Sequence, residues 1–247
     1  MTVEDLNKPV AEFVKENIES AKLFEKYSID YCCGGNQLLA EALEERGIEP
    51  ENFINQLMPF VEDKVKEKKE TIDFLGMEPD KLCVYIVDKH HGYLYEKLPV
   101  INELLRKVVN AHGEKYGYLN ELKKEFRLLS EELNGHMAKE ERVLFPLIKY
   151  LVETKKLGEK PKTKGYGTIN NPVAQMVREH DLAAERLSVF KKITDNYKLP
   201  ADACATFSLL YECLKEFEFD LHLHIHLENN ILFPKSVELE NQLINRR

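Results

Sequence analysis

The sequence contains no tryptophan, and only 11 glycines and 10 prolines punctuate its 247 residues. So few breakers leave long runs rich in Leu, Glu, Lys and Ala, which favour helices. No run of about 18 apolar residues occurs, so no segment is expected to span a membrane. A basic excess is also missing: 35 Lys and Arg stand against 43 Asp and Glu, a net charge of −8. That balance argues against nucleic acid as a partner, which would call for a basic stripe. The N-terminal MTVEDLNKPV lacks the basic-then-apolar pattern of a signal peptide, so a cytoplasmic protein is expected. The five cysteines are odd in number and include no CxxC pair. Cys32 and Cys33 are neighbours, about 3.8 Å apart at Cα, too close for an unstrained disulfide. A reduced-thiol protein is expected, neither stapled nor iron–sulfur-binding through its cysteines.

What is present is helical periodicity. Residues 1–70 read as a small helical domain, with short helices at Val10–Glu16, Ile18–Tyr27, Gln37–Arg46 and Glu51–Val65. The two glycines of YCCGGN (31–36) interrupt it, and Gly47 ends its third helix. A charged stretch, Lys64–Glu70, reads as a linker to a second domain over 78–247. Four long patterns follow, at about 79–110, 116–155, 172–196 and 200–240. The glycine-rich, basic segment Lys155–Asn171 reads as an exposed loop of unusual length.

Each long pattern carries an apolar stripe at 3-4 spacing, and four such stripes predict an all-α four-helix bundle. The first runs Val84, Val87, His91, Leu94, Leu98. The second runs Leu129, Leu133, His136, Glu140, Val143, Leu147. The third runs Val173, Met176, His180, Ala183, Leu187. The fourth runs Phe217, Leu221, His224, Glu228, Ile231. The departures from Leu, Ile, Val and Ala carry the signal. HMAKEERVLFP (136–146) and HIHLENNILFP (224–234) share His, then Glu four residues on, then Leu-Phe-Pro. These copies lie 88 residues apart, while His91 and His180 lie 89 apart. One helical hairpin used twice would bring these residues to a shared site.

His136 and Glu140 share a helix face, as do His224 and Glu228. An isolated glutamate in an apolar core costs several kcal/mol unless it is paired or binds a cation. One stripe histidine alone is an ordinary core residue; four, with two glutamates in repeat symmetry, describe a metal site. Two bridging carboxylates and four imidazoles give each of two ions two nitrogen donors and two shared oxygens. The donor type suits iron, manganese or zinc. Glu132, one turn before His136, and Glu179, beside His180, are candidates to orient ligands or line an ion path. His112 lies 21 residues from His91, roughly 31 Å along a helix, too far to join them. In LHLHIH (221–226), His222 and His226 point away from His224, and a solvent face is expected for both.

With these residues in hand, the sequence resembles the Repair of Iron Centres family of iron–sulfur cluster repair di-iron proteins. YSIDYCCGGNQLLAEAL (27–43) is similar to the family's short domain with paired cysteines. HHGYLYEKLP (90–99), HMAKEERVLFP, REHDLAAERL (178–187) and HLENNILFP are similar to its hemerythrin-like domain. The resemblance implies a bacterial protein with a hemerythrin-like up-down bundle behind the small domain. It implies two non-haem irons on His91, His136, His180 and His224, bridged by Glu140, Glu228 and an oxo or hydroxo group. It implies repair of iron–sulfur clusters damaged by nitrosative or oxidative stress, through iron donation, nitric oxide reduction or both. Damaged iron–sulfur proteins or cluster assembly machinery, nitric oxide and oxygen are the expected partners, with a homodimer as a candidate assembly. The alternative is a hemerythrin-like reversible carrier or sensor of oxygen or nitric oxide. Cys32 and Cys33 are the candidate reactive thiols. Asn36 reads as an N-cap that places them at a helix N-terminus, where amides favour the thiolate.

Overall fold

The computed structural model describes residues 3–62, 72–161 and 167–245. The expected linker falls outside them, as does the middle of the 155–171 loop. The described residues form helices and no strand. Packing divides the chain into two units. One comprises Met1–Glu78 together with His222–Lys235, and the other Pro79–Leu221 with Ser236–Arg247.

In the first unit, α1 (Val10–Glu16), α2 (Ala21–Lys26), α3 (Leu39–Glu44) and α4 (Pro50–Glu62) are short. Phe13, Phe24, Phe53 and Tyr31 supply the core, with Phe24 edge-on to Phe53 at 5.4 Å between centroids. Such pairs add about 0.5–1.5 kcal/mol beyond the area they bury. Gly47 follows α3 at φ +62°, a left-handed turn that a Cβ would strain. Helix α3 begins at Leu39 rather than near Gln37, and Asn36 caps nothing. Residues 31–38 instead form a turn ordered by Asp30.

The second unit is built from α5 (Pro79–Ile86), α6 (Gly92–His112), α7 (Tyr118–Lys139), α8 (Phe145–Leu157), α9 (Asn170–Ile193) and α10 (Ala205–Leu227) up to Leu221. Helix α11 (Phe233–Ile244) continues the line of α10. Three of the four long patterns are therefore broken. Val87–His91, Glu140–Leu144 and Glu228–Leu232 are each one wide π turn. Pro146 and Pro234 each follow such a turn by two residues. A proline lacks the N–H that would bond four residues back, so the carbonyls of Arg142 and Asn230 lose their α-helical donor. A wider turn there relieves the ring clash. No proline stands so close behind Val87–His91.

Each π turn inserts a residue and shifts the helical phase, which corrects two stripe assignments. Val84 is 43% exposed and Val143 40%, while Cys83, Ile86 and Leu144 are buried. At mid-bundle the expected stripes hold. Phe126 on α7 packs against Phe190 of α9 and Phe217 of α10, with centroids 6.0 and 5.5 Å away. Arg186 of α9 ties down α7 through Glu132 and Glu125. Helix α8 runs to Leu157 and ends in the left-handed Gly158. No described helix is long and apolar enough to cross a membrane.

Candidate metal centre

His91 closes the first π turn and Glu140 opens the second. His91 Nε2 lies 3.3 Å from Glu140 Oε2, and His136 Nε2 is also 3.3 Å from that oxygen. His180 Nε2, from α9, stands 3.0 Å from His136 Nε2. One turn apart in the last helical segment of the repeat, His224 Nε2 and Glu228 Oε1 are separated by 3.1 Å. His224 lies near the end of α10, which runs unbroken from Ala205 to Leu227, and Glu228 opens the third π turn. Two overlapping donor groups result: His91, Glu140, His224 and Glu228, and His136, Glu140, His180 and Glu228. Within each group the candidate ligand atoms lie within 4.8 Å of one another, and all six residues are buried.

This donor set fits a cation. Four imidazole nitrogens and two carboxylates aim at one small volume, and both carboxylates are 0% exposed. Buried charges of this kind are held by pairing or by metal coordination. Borderline ions such as iron take mixed nitrogen and oxygen donors.

The residues outside the cluster fix its rings. Glu179 Oε2 sits 2.9 Å from His136 Nδ1 and thereby leaves Nε2 for the cluster. The His136 ring, aided by Lys139 and Gln175, holds the Glu179 carboxyl down to about 2. Glu141 plays the same part for His91, at 2.8 Å from Nδ1, and receives the Tyr95 hydroxyl at 3.1 Å. The wide π turn lets adjacent Glu140 and Glu141 serve the two nitrogens of one histidine. Glu141 escapes sequence reasoning because an α-helix sends adjacent residues about 100° apart. The Glu-Glu pair in KEERV was its one visible trace. Glu132 is a correction: it pairs with Arg186 at 2.6 Å, is 47% exposed, and does not reach a histidine of the cluster.

His222 and His226 also differ from expectation. His226 is fully buried and bonds the Tyr31 carbonyl through Nδ1 at 3.0 Å. Burial holds its imidazole down to about 4. His222 pairs with Glu25 at 2.5 Å. Neither faces solvent, because the N-terminal helices cover this side of the 222–235 stretch. His90, off the stripe, is buried and lies 3.1 Å from Asp220.

Cys32 and Cys33 sit in the turn ordered by Asp30, whose carboxylate accepts the backbone N–H groups of Cys32, Cys33 and Gly34. Asn230 donates to the Cys32 carbonyl at 3.0 Å. The expected activation by helix amides is absent. The hydrogen bond to Cys33, burial and the neighbouring Asp30 charge push the Cys32 thiol well up.

A helical bundle with paired His-x3-Glu units around a buried cation site defines a hemerythrin-type metal-binding protein. The family comparisons agree. Residues 83–236 match the Hemerythrin HHE cation binding domain, and residues 6–60 match a Domain of Unknown function (DUF542). The chain is 35% identical over 231 residues to the iron-sulfur cluster repair protein YtfE of Enterobacter sp. (strain 638), covering 94% of this chain and 97% of that one. It is 32% identical, at the same coverage, to the proteins of that name from Shigella boydii serotype 4 (strain Sb227) and Escherichia coli (strain K12 / DH10B). The chain belongs to the hemerythrin HHE family, and within it to the group of these cluster repair proteins.

Proposed function

We propose that this chain is a non-haem di-iron protein that repairs iron–sulfur clusters damaged by nitrosative or oxidative stress. The observation that carries the reading is the sharing of Glu140 and Glu228 by both donor groups. Two ions would each take two histidines, His91 with His224 and His136 with His180, and the two carboxylates would bridge them. Iron bound there supplies one-electron redox chemistry and open positions for nitric oxide or oxygen. The protein's part is to keep Nε2 of each ring deprotonated and aimed inward, to offset part of the charge of the pair with Glu140 and Glu228, and to exclude bulk water. Ligand nitrogens must be neutral to bind, so proton uptake weakens the hold and favours release. That property suits iron as cargo handed to a damaged cluster protein.

Anaerobic purification with metal analysis, wild type beside Glu228→Leu, tests the centre. About two irons per wild-type chain and loss of metal and optical bands in the variant are expected. Recovery of a nitric-oxide-treated iron–sulfur enzyme by the loaded protein tests the function. A loaded protein that restores no activity, yet binds oxygen reversibly in stopped-flow spectra without losing metal, would establish a carrier or sensor instead.

A further inference from the structure

Away from the metal centre, at the other end of α6, a thiol and an imidazole meet. Cys204 immediately precedes α10 and is exposed, unlike the buried Cys32, Cys83 and Cys213. His112, in the last turn of α6, places Nε2 3.2 Å from its sulfur. The imidazole is held there by the Phe207 ring, 5.5 Å away between centroids. The backbone N–H groups of Thr206 and Phe207, second and third residues of α10, also favour its anion. Cys204 thus occupies the N-cap, with a sulfur where Ser or Asp would place an oxygen. Asp202, two residues before it, is engaged by Lys115 at 2.6 Å and by the Tyr116 hydroxyl. A nucleophile, a base beside it and a helix end that favours its anion are therefore assembled in one exposed place.

We propose that Cys204 is a redox modification site whose thiolate, paired with His112, exchanges with small disulfides to form a mixed disulfide. His112 takes the thiol proton. The thiolate attacks one sulfur of the small disulfide and forms a new S–S bond to Cys204. The original S–S bond breaks and its second half leaves as a thiolate, which takes up a proton. Cys204 is oxidised and the released thiol is the reduced product. The His112 hydrogen bond first, then the α10 amides, bring this thiol down to about 7. An attacking thiol works best with a pKa near ambient pH. His112 lies 21 residues from His91, so this chemistry stands independently of the metal reading.

The test treats the reduced, full-length protein with oxidised glutathione between pH 5.5 and 9 and follows each cysteine by peptide mass spectrometry. Cys204 is expected to react first, with a rate midpoint near pH 7. In His112→Ala the midpoint moves toward about 8.5, the ordinary value for a thiol. At pH 7 the rate falls roughly threefold, because about 16-fold less thiolate is partly offset by the greater nucleophilicity of a higher-pKa thiol. Circular dichroism checks that the variant keeps its helices, and the wild-type midpoint is decisive even if it does not. A wild-type midpoint at 8.5 or above, reaction at Cys33 ahead of Cys204, or an unmoved midpoint in folded His112→Ala would overturn the proposal.

Discussion

Nδ1 of His136 and Oε2 of Glu179 lie 2.9 Å apart, although 43 residues and two different helices separate them in the chain. The contact fixes the tautomer and tilt of a ring whose other nitrogen faces Glu140. Outer hydrogen bonds of this kind are worth 10–100-fold in metal affinity. Glu179→Gln is accordingly expected to weaken metal binding by about one order of magnitude while leaving the helices intact. Competition with a chelator, read beside circular dichroism, measures this.

Asp30 carries three backbone N–H groups and the Cys32 thiol on one carboxylate. Asp30→Ala strands these donors in a partly buried turn, at a cost of about 1–3 kcal/mol. Hydrogen exchange at residues 32–34 should accelerate. Because the Asp30 charge helps to raise the Cys32 thiol, alkylation of Cys32 should shift to lower pH in the same variant.

Gly35 has no room for a side chain. A Cβ there would lie 2.7 Å from both the Ala11 Cβ and the Tyr31 carbonyl oxygen. Backbone cannot yield cheaply, so Gly35→Ala should destabilise the N-terminal unit by about 1–3 kcal/mol. The first transition of a urea melt, followed through the tyrosines of that unit, reports it.

Phe126 is fully buried between Phe190 and Phe217. Phe126→Ala should cost about 3–5 kcal/mol, transfer and cavity terms together. Metal-free protein is the fair comparison, since bound iron would mask part of the loss by mass action.

Lys115 and the Tyr116 hydroxyl hold the Asp202 carboxyl down to about 2. A carboxylate with a lowered folded pKa contributes stability above its unfolded value near 3.8 and loses it as the pH falls toward 2. The contribution is therefore complete at neutral pH. Asp202 is exposed, so it should also fade with added salt. Carboxyl NMR in Lys115→Ala should show the Asp202 titration returning toward 3.8.

Much of the site is legible in the chain because its signals are local. The His-x3-Glu spacing lies within one helical turn, and an unmatched Glu on an apolar stripe stands out without a structure. The hairpin repeat adds a second copy at nearly the same interval. The resemblance to the repair family rests on these same stretches and on YCCGGN.

Other features depend on partners that no local pattern names. A π turn differs from an α turn by one residue, so Val84 and Val143 read as core although Cys83 and Leu144 are buried instead. Glu132 and Glu179 look alike in sequence, yet Arg186 claims one and His136 the other. His226 reads as a solvent residue until the Tyr31 carbonyl and the N-terminal helices cover it. Helical class and the six candidate donors follow from periodicity along the chain. Which acids orient those donors and which thiol meets an imidazole are decided by contacts between residues tens of positions apart. Those contacts are set by packing, not by spacing.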